Sequence, residues 1–351
     1  MRRTAVVLSS GLLFATACFL LGFSGGCGGS SGSSQGTGTN NLPSGKIQHV
    51  IVIVQENRTP DNLFHGLPNA DIANSGVNSH GQTIPLTPAP LVNSYDLDHS
   101  HSSFKAMYDG GKMDGADRIP ASCAPKATDC PGPNLQFKYV NPSEVQPYLQ
   151  LPESYTFADR MFQTYQGPSF PAHQFIIAGT SAPTASSELF AAENPEAPPG
   201  VHALSDTGCT APASETVALI DPDGIESSTQ YPCFEHPVLT DLLDGKGITW
   251  RYYTPSAGSI WTGPNAIQHV RTGPAWTNVL LNQKQALSDI TTGQLPQVSW
   301  VIPTAQASDH ARTNNGSGPS WVASIVNAIG NSSYWQDSAI FITWDDWGRL
   351  V

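Results

Sequence analysis

Two of the most apolar runs in this chain end abruptly in acids. Val50-Ile51-Val52-Ile53-Val54 leads into Glu56-Asn57-Arg58, and Ala339 to Thr343 (AIFIT) leads into Trp344-Asp345-Asp346. In open α/β sheets, ligands bind beyond the carboxyl ends of the strands. If the two runs are parallel strands, Glu56, Asn57, Asp345 and Asp346 gather at one rim. Carboxylates packed that closely repel one another unless a cation neutralises them. Oxygen donors of this kind suit a hard divalent ion rather than a thiolate-seeking metal. An ion there would polarise a phosphoryl oxygen and lower the pKa of a bound hydroxyl. Ser169 is a candidate for that hydroxyl. It follows the turn Gly167-Pro168, and Phe170 to Ala178 reads as a helix closed by Gly179, with Ser169 as its N-cap. Backbone N–H groups and the helix dipole favour an anion at such a terminus. Each residue alone also has an ordinary use, as a turn acid, a solvated Asp pair or a cap. Their coincidence is what points to a site.

Several elements must position these groups. The unbroken β-branched run suits a strand buried on both faces of a parallel sheet. Further strands are predicted at Ile248 to Tyr253, Val298 to Ile302 and Ala339 to Thr343. Helices are predicted over Pro142 to Leu151, Pro237 to Leu243 and Ser320 to Ile329. The last carries an apolar stripe of Trp321, Val322, Ile325, Val326 and Ile329. This alternation of strand and helix implies an α/β fold with a central, mainly parallel sheet flanked by helices. The stretch from the first strand to about Pro142 is rich in Pro, Asn, Ser and His and reads largely as loop. It contains SYDLDHSHSSF, with Asp96, Asp98, His99 and His101. Ser186 to Pro232 reads as an inserted excursion.

The chain has 351 residues and a formal net charge of -12. That acidity argues against nucleic acid as a partner. Arg2 and Arg3 precede an uncharged stretch from Thr4 to Phe23, which has the form of an export signal. Small residues before Cys27 and a Gly/Ser-rich tether after it fit lipoprotein processing; a simply cleaved signal and a retained anchor helix are the alternatives. The expected organisation is a signal over 1–26, a flexible linker over 27–45 and a folded domain over 46–351. The expected location is exported, either lipid-anchored at Cys27 in the cell envelope or secreted. Four cysteines fall in the folded part, at 123, 130, 209 and 233. In an exported chain this favours two disulfides. Proximity suggests Cys123–Cys130 and Cys209–Cys233, with three pairings open. The sequence stops a few residues after the last predicted strand, which reads as a C-terminal truncation of the domain.

These motifs resemble a known family. KIQHVIVIVQENRTPDNLFHG is similar to the opening motif of the bacterial phosphoesterases, a family that holds non-zinc phospholipases C and acid phosphatases. DLDHSHSSF, GPSFPAHQFIIAGTS, SDHA and AIFITWDDWG follow in the family's order. The resemblance implies an alkaline-phosphatase-like fold and a divalent metal of unspecified identity held by Glu56, Asn57, Asp345, Asp346 and Ser169. It implies that Ser169 is the nucleophile and passes through a phosphoseryl intermediate. It places His99, His269 and His310 around the phosphate, with His310 as the proton donor to the leaving group. The implied substrate is a phosphate ester, either a phospholipid or a small phosphomonoester. Arg58 is left between a phosphate contact and a structural ion pair, and His101 is read as exposed. Two departures stand out: Ala172-His173 where the family commonly has Asn-Arg, and Arg349 after Gly348. A sulfatase-like reading needs an Arg that Ser169-Phe170-Pro171-Ala172-His173 lacks. The other alternative is a non-catalytic surface lipoprotein that keeps the fold.

Overall fold

β-Branched residues fill the first strand, β1 (His49–Gln55), and each of its faces has its own layer of core. The computed structural model describes residues 47–196 and 206–347. The expected signal, the Cys27 anchor site, the linker, Gly348 and Arg349 lie outside those residues. β1 is joined by β2 (Trp250–Tyr253), β3 (Val279–Leu280), β4 (Val298–Val301) and β5 (Ser338–Trp344). The spatial order is β3-β2-β4-β1-β5, and every pairing is parallel. The first strand is thus interior, between the two strands that come last.

Six helices matter here: α1 (His101–Tyr108), α2 (Gln146–Ser154), α3 (Ser169–Ala178), α4 (Leu239–Gly245), α5 (Gln285–Thr291) and α6 (Gly318–Gly330). Ile51 and Ile53 of β1 pack with Tyr148 of α2, Ala286 and Ile290 of α5, and Val322, Ile325 and Ile329 of α6. Val52 and Val54 point to the opposite face, with Phe170 and Ile177 of α3 and Leu243 of α4. The period-2 alternation of a strand sends successive residues to opposite sides. A strand covered on both sides therefore needs apolar residues at every position, which explains the unbroken run. Each such side chain contributes about 1.5–3 kcal/mol on full burial.

Register sets the site. Gln55 of β1 lies opposite Trp344 of β5. The two strands therefore end level, and the Asp345 N–H donates to the Gln55 carbonyl at 2.9 Å. Glu56 and Asp345 leave adjacent strands at the same height.

The stretch read as loop is more structured than expected. It holds α1 and three small two-stranded pairings, Ser75–Val77 with Thr83–Pro85, Thr87–Ala89 with Lys138–Val140, and Tyr95–Leu97 with Ala121–Cys123. Three-residue strands are too short to show a period in sequence. They enclose a separate small core that includes Leu86, Leu97, Met107, Ile119 and Phe137. The Cys123–Cys130 disulfide lies within this layer. The excursion after Ser186 likewise forms an antiparallel sheet of Phe190–Ala191, Val217–Ile220 and Glu226–Gln230. Cys209–Cys233 is the second disulfide, so both pairs are the ones that proximity suggests. The helix predicted from Pro142 is broken: Pro142–Glu144 makes a single 3-10 turn, and α2 starts after Val145 at φ -119°. Among the described residues, no helix is long and apolar enough to cross a membrane.

Gly318 opens α6 against the Asp309 carboxylate. A Cβ added there would lie 2.2 Å from Asp309 Oδ1, too close to coexist without movement. Gly318→Ala is expected to destabilise the fold by about 1–3 kcal/mol, the usual cost of overpacking. Urea denaturation reads the change, and an unaltered midpoint would contradict the close approach.

Candidate active site

The level ends of β1 and β5 bring together the groups that their sequences carry. Glu56 and Asn57 are fully buried, and Asp345 and Asp346 nearly so. Asn57 adopts a left-handed backbone, φ 56°. Asn tolerates that region better than most residues, because its short amide bonds locally. The turn lets its N–H donate to Asp345 Oδ1 at 3.0 Å. Its side-chain Nδ2 donates to Asp346 Oδ1 at 3.0 Å and to Oδ2 at 2.8 Å. The amide therefore fixes both aspartates at once.

α3 delivers Ser169 to this cluster. The residue is the first of the helix rather than its cap; Pro168 occupies the N-cap position with an extended backbone. Ser169 Oγ is 3.4 Å from Glu56 Oε2 and 3.4 Å from Asp346 Oδ2. One helical turn on, His173 presents Nε2 to Glu56 Oε1 at 3.1 Å and to Asp345 Oδ2 at 3.7 Å. Residues four apart share a helix face, so Ser169 and His173 reach the rim together.

The electrostatics are severe. Burial, then the neighbouring Asp345 and Asp346 charges, push the Glu56 carboxyl well above its usual range. Burial holds the His173 imidazole down, at about 4, against the pull of Asp345. Two buried acceptors, Asn57 Oδ1 and Asp345 Oδ2, have no hydrogen-bond partner. An orphaned buried acceptor is costly, about 1–3 kcal/mol. Donor atoms of Glu56, His173 and Asp345 lie within 4.8 Å of one another. The orphaned Asp345 Oδ2, grouped with Glu56 and His173, fits a bound cation, so the residues present suit the implied metal.

Two of the three expected histidines border the cluster. His99 Nε2 is 4.0 Å from Asp346 Oδ2, and its Nδ1 faces the Leu97 carbonyl at 3.1 Å. The His99 and His310 rings stand edge to face with centroids 5.8 Å apart. His310 Nδ1 faces the Ala311 carbonyl at 2.8 Å. The third, His269, is not there. Its ring lies between two surface acids, with Nδ1 2.6 Å from Glu235 Oε1 and Nε2 3.0 Å from Asp241 Oδ1. Both nitrogens thus face carboxylates rather than the acid cluster. His101 is corrected: it is buried, with Nδ1 2.5 Å from Glu226 Oε1. Arg58 takes the structural role. It donates to the carbonyls of Asp309 and Leu91 and to Asn62 Oδ1.

A sequence profile described as the Phosphoesterase family matches residues 47–349. The chain belongs to that family. It is 21% identical over 327 residues to the non-hemolytic phospholipase C of Burkholderia pseudomallei, covering 86% of this chain and 44% of that protein. It is 21% identical to the hemolytic phospholipase C of Pseudomonas aeruginosa, over 86% of this chain and 42% of the relative. For phospholipase C A of Mycobacterium tuberculosis the identity is again 21%, over 86% of this chain and 58% of the relative. The chain thus spans about half the length of the curated relatives it matches.

Two residues of this phosphoesterase escaped the sequence reading. His173 was visible only as a departure from the family motif; its spacing of four from Ser169 was the available signal. Asp309 precedes His310 and anchors it. Tyr148 Oη and Trp344 Nε1 donate to Asp309 Oδ2 at 2.8 and 2.9 Å, and the Asp309 N–H donates to Gln55 Oε1 at 2.9 Å. Burial raises the Asp309 carboxyl to about 6, although Arg58, Trp344 and Tyr148 pull it down. A carboxyl whose folded pKa lies above its unfolded value stabilises the fold at low pH and loses that contribution as pH rises through the folded pKa. Between about pH 4 and 6, wild type should lose about 3 kcal/mol relative to Asp309→Asn, at about 1.4 kcal/mol per pKa unit. Parallel denaturation series across that window read the difference, and a difference that stays flat would refute the raised carboxyl.

Proposed function

We propose that this chain hydrolyses phosphoric esters, with Ser169 as nucleophile and a phosphoseryl intermediate. The observation that carries the reading is Ser169 Oγ at a helix N-terminus, 3.4 Å from both Glu56 and Asp346 in a buried site suited to a cation. Glu56, Asn57, Asp345 and Asp346, with Ser169 beside them, would hold a divalent metal. When bound, that ion supplies charge neutralisation at the carboxylates and polarisation of the phosphoryl oxygen.

The chain's own groups do the rest. The Ser169 hydroxyl passes its proton to a facing carboxylate, Glu56 or Asp346, and Oγ attacks phosphorus in line. The Phe170 N–H donates to Asn194 Oδ1 at 2.9 Å and Pro171 has no N–H, so it is the dipole of α3 rather than a row of free amides that favours the phosphate charge. His99 and His310 hydrogen-bond its oxygens. Because the Ala311 carbonyl takes the Nδ1 proton of His310, Nε2 is the atom left to protonate the departing alkoxide. Water then cleaves the Oγ–P bond, and the serine recovers its proton. The matched relatives are named as phospholipases C, which supports a phospholipid substrate. Met161 and Phe162, 74% and 83% exposed in the segment leading to Ser169, support an apolar rim for acyl chains. Export is supported by the leader sequence and by two disulfides. Anchoring at Cys27 rests on the leader sequence alone.

Turnover of p-nitrophenyl phosphate and p-nitrophenylphosphorylcholine tests the reading and separates monoester from choline-ester preference. Ser169→Ala should lower kcat at least about 10³-fold, and chelation should abolish turnover until a divalent metal is restored. His269→Ala should keep turnover within about twofold, as a surface change away from the chemistry. Undiminished rates in Ser169→Ala would remove the assigned nucleophile. His310→Asn should lower kcat about 10²–10⁴-fold on an alkyl ester. It should cost much less on p-nitrophenyl substrates, whose leaving group departs without a proton. Equal losses on both would remove His310 as the acid.

A further inference from the structure

We infer that His173 is a nitrogen ligand of the cation site, which makes that site selective for borderline transition metals over calcium and magnesium. The inference rests on the metal-dependent reading above and assigns a donor that the family motif does not contain.

The geometry comes from three elements. α3 places His173 one turn beyond Ser169 on the same face, and its ring is fully buried. Nε2 points at two carboxylate oxygens, Glu56 Oε1 at 3.1 Å and Asp345 Oδ2 at 3.7 Å. The second of these is one of the orphaned acceptors. Nδ1 faces Tyr252 Oη on β2 at 3.3 Å. Tyr252 donates its phenolic proton to the Trp261 carbonyl at 2.7 Å. A phenol has one proton, so towards His173 its oxygen is an acceptor, and Nδ1 must carry the ring proton. In the neutral ring, this leaves the Nε2 lone pair facing the two carboxylates. That arrangement is repulsive unless a cation lies between them. A proton would satisfy His173 and Glu56, but it would leave Asn57 Oδ1 across the cluster without a donor. A metal ion satisfies the whole set.

Metal-binding histidines are usually oriented in this way, by a hydrogen bond from the distal ring nitrogen. Replacing an all-oxygen set by oxygens plus one imidazole changes preference. Oxygen-only sites suit magnesium, calcium and manganese, whereas imidazole suits zinc, copper, iron and nickel.

Electron spin-echo spectroscopy of metal-stripped protein reloaded with Mn²⁺ tests the assignment directly, since a coordinated imidazole imprints ¹⁴N modulation on the echo. Wild type and His99→Gln should both show the modulation. His173→Gln should bind Mn²⁺ without it. In competition titrations, the preference for Co²⁺ over Ca²⁺ should fall about 10–100-fold in His173→Gln. If His173→Gln does not fold, the wild-type and His99→Gln spectra still decide the matter. Stoichiometric Mn²⁺ in wild type with no nitrogen modulation would overturn the ligand while leaving a metal-dependent hydrolase intact. Modulation lost in His99→Gln would move the nitrogen to His99 and overturn it too. Failure to bind Mn²⁺ at all would overturn the ligand together with the metal-dependent function.

Discussion

Three carboxylates held out of water at the end of one sheet are the constraint on which the rest of the structure depends. Glu56, Asp345 and Asp346 are all essentially buried. Burial disfavours each charge separately, and proximity disfavours them jointly. No fold keeps such a cluster without a built-in answer. Part of the answer is donors: the Asn57 N–H and amide take Asp345 and Asp346. For the remainder, Glu56, His173 and Asp345 are placed so that they could hold a cation, whose charge would offset the repulsion.

The scaffold around this cluster is correspondingly rigid. β1 sits between β4 and β5, so its carboxyl end cannot shift without breaking two ladders. The loop carrying His310 is tied to the same strand end by paired bonds through Gln55, to the Ala307 carbonyl at 3.1 Å and from the Asp309 N–H at 2.9 Å. Arg58, next to the acids in sequence, donates to the Asp309 and Leu91 carbonyls and to Asn62 Oδ1. The mobile-looking polar tail of the opening motif is therefore divided: two residues face the site and the third holds the surrounding loops.

How much of this could be read from the sequence follows from the range of the interactions. β1 was legible because burial on both faces demands an uninterrupted apolar run, and β5 because its own run is apolar, although that strand lies at the sheet edge with Phe341 49% exposed. The start of α3 was legible from Gly167-Pro168 and Gly179, again local. The meeting of Glu56 with Asp345 followed once both strands were taken as parallel. His173 was not legible, because its role depends on Tyr252 and Trp261, which lie far away in the chain. The partners of His269 were not legible either: the surface acids Glu235 and Asp241 that face its ring leave no pattern around NAIQHVRTGPAW. The small pairings between Ser75 and Val140 escaped because strands of three residues carry no period, and their stability comes from a common core and a disulfide.

The strand order has a consequence for how the chain comes into being. β1 is synthesised early, yet its two neighbours are β4 and β5, and Asn57 meets Asp346 across 289 residues of sequence. Topologies dominated by such distant pairings fold slowly. During synthesis, the run from Val50 to Val54 emerges with neither ladder available to it. The cluster of acids cannot assemble until nearly every described residue has left the ribosome. Gln55 meets Trp344, and Asn57 meets Asp346, only once the strand Ser338–Trp344 and the two acids after it have emerged.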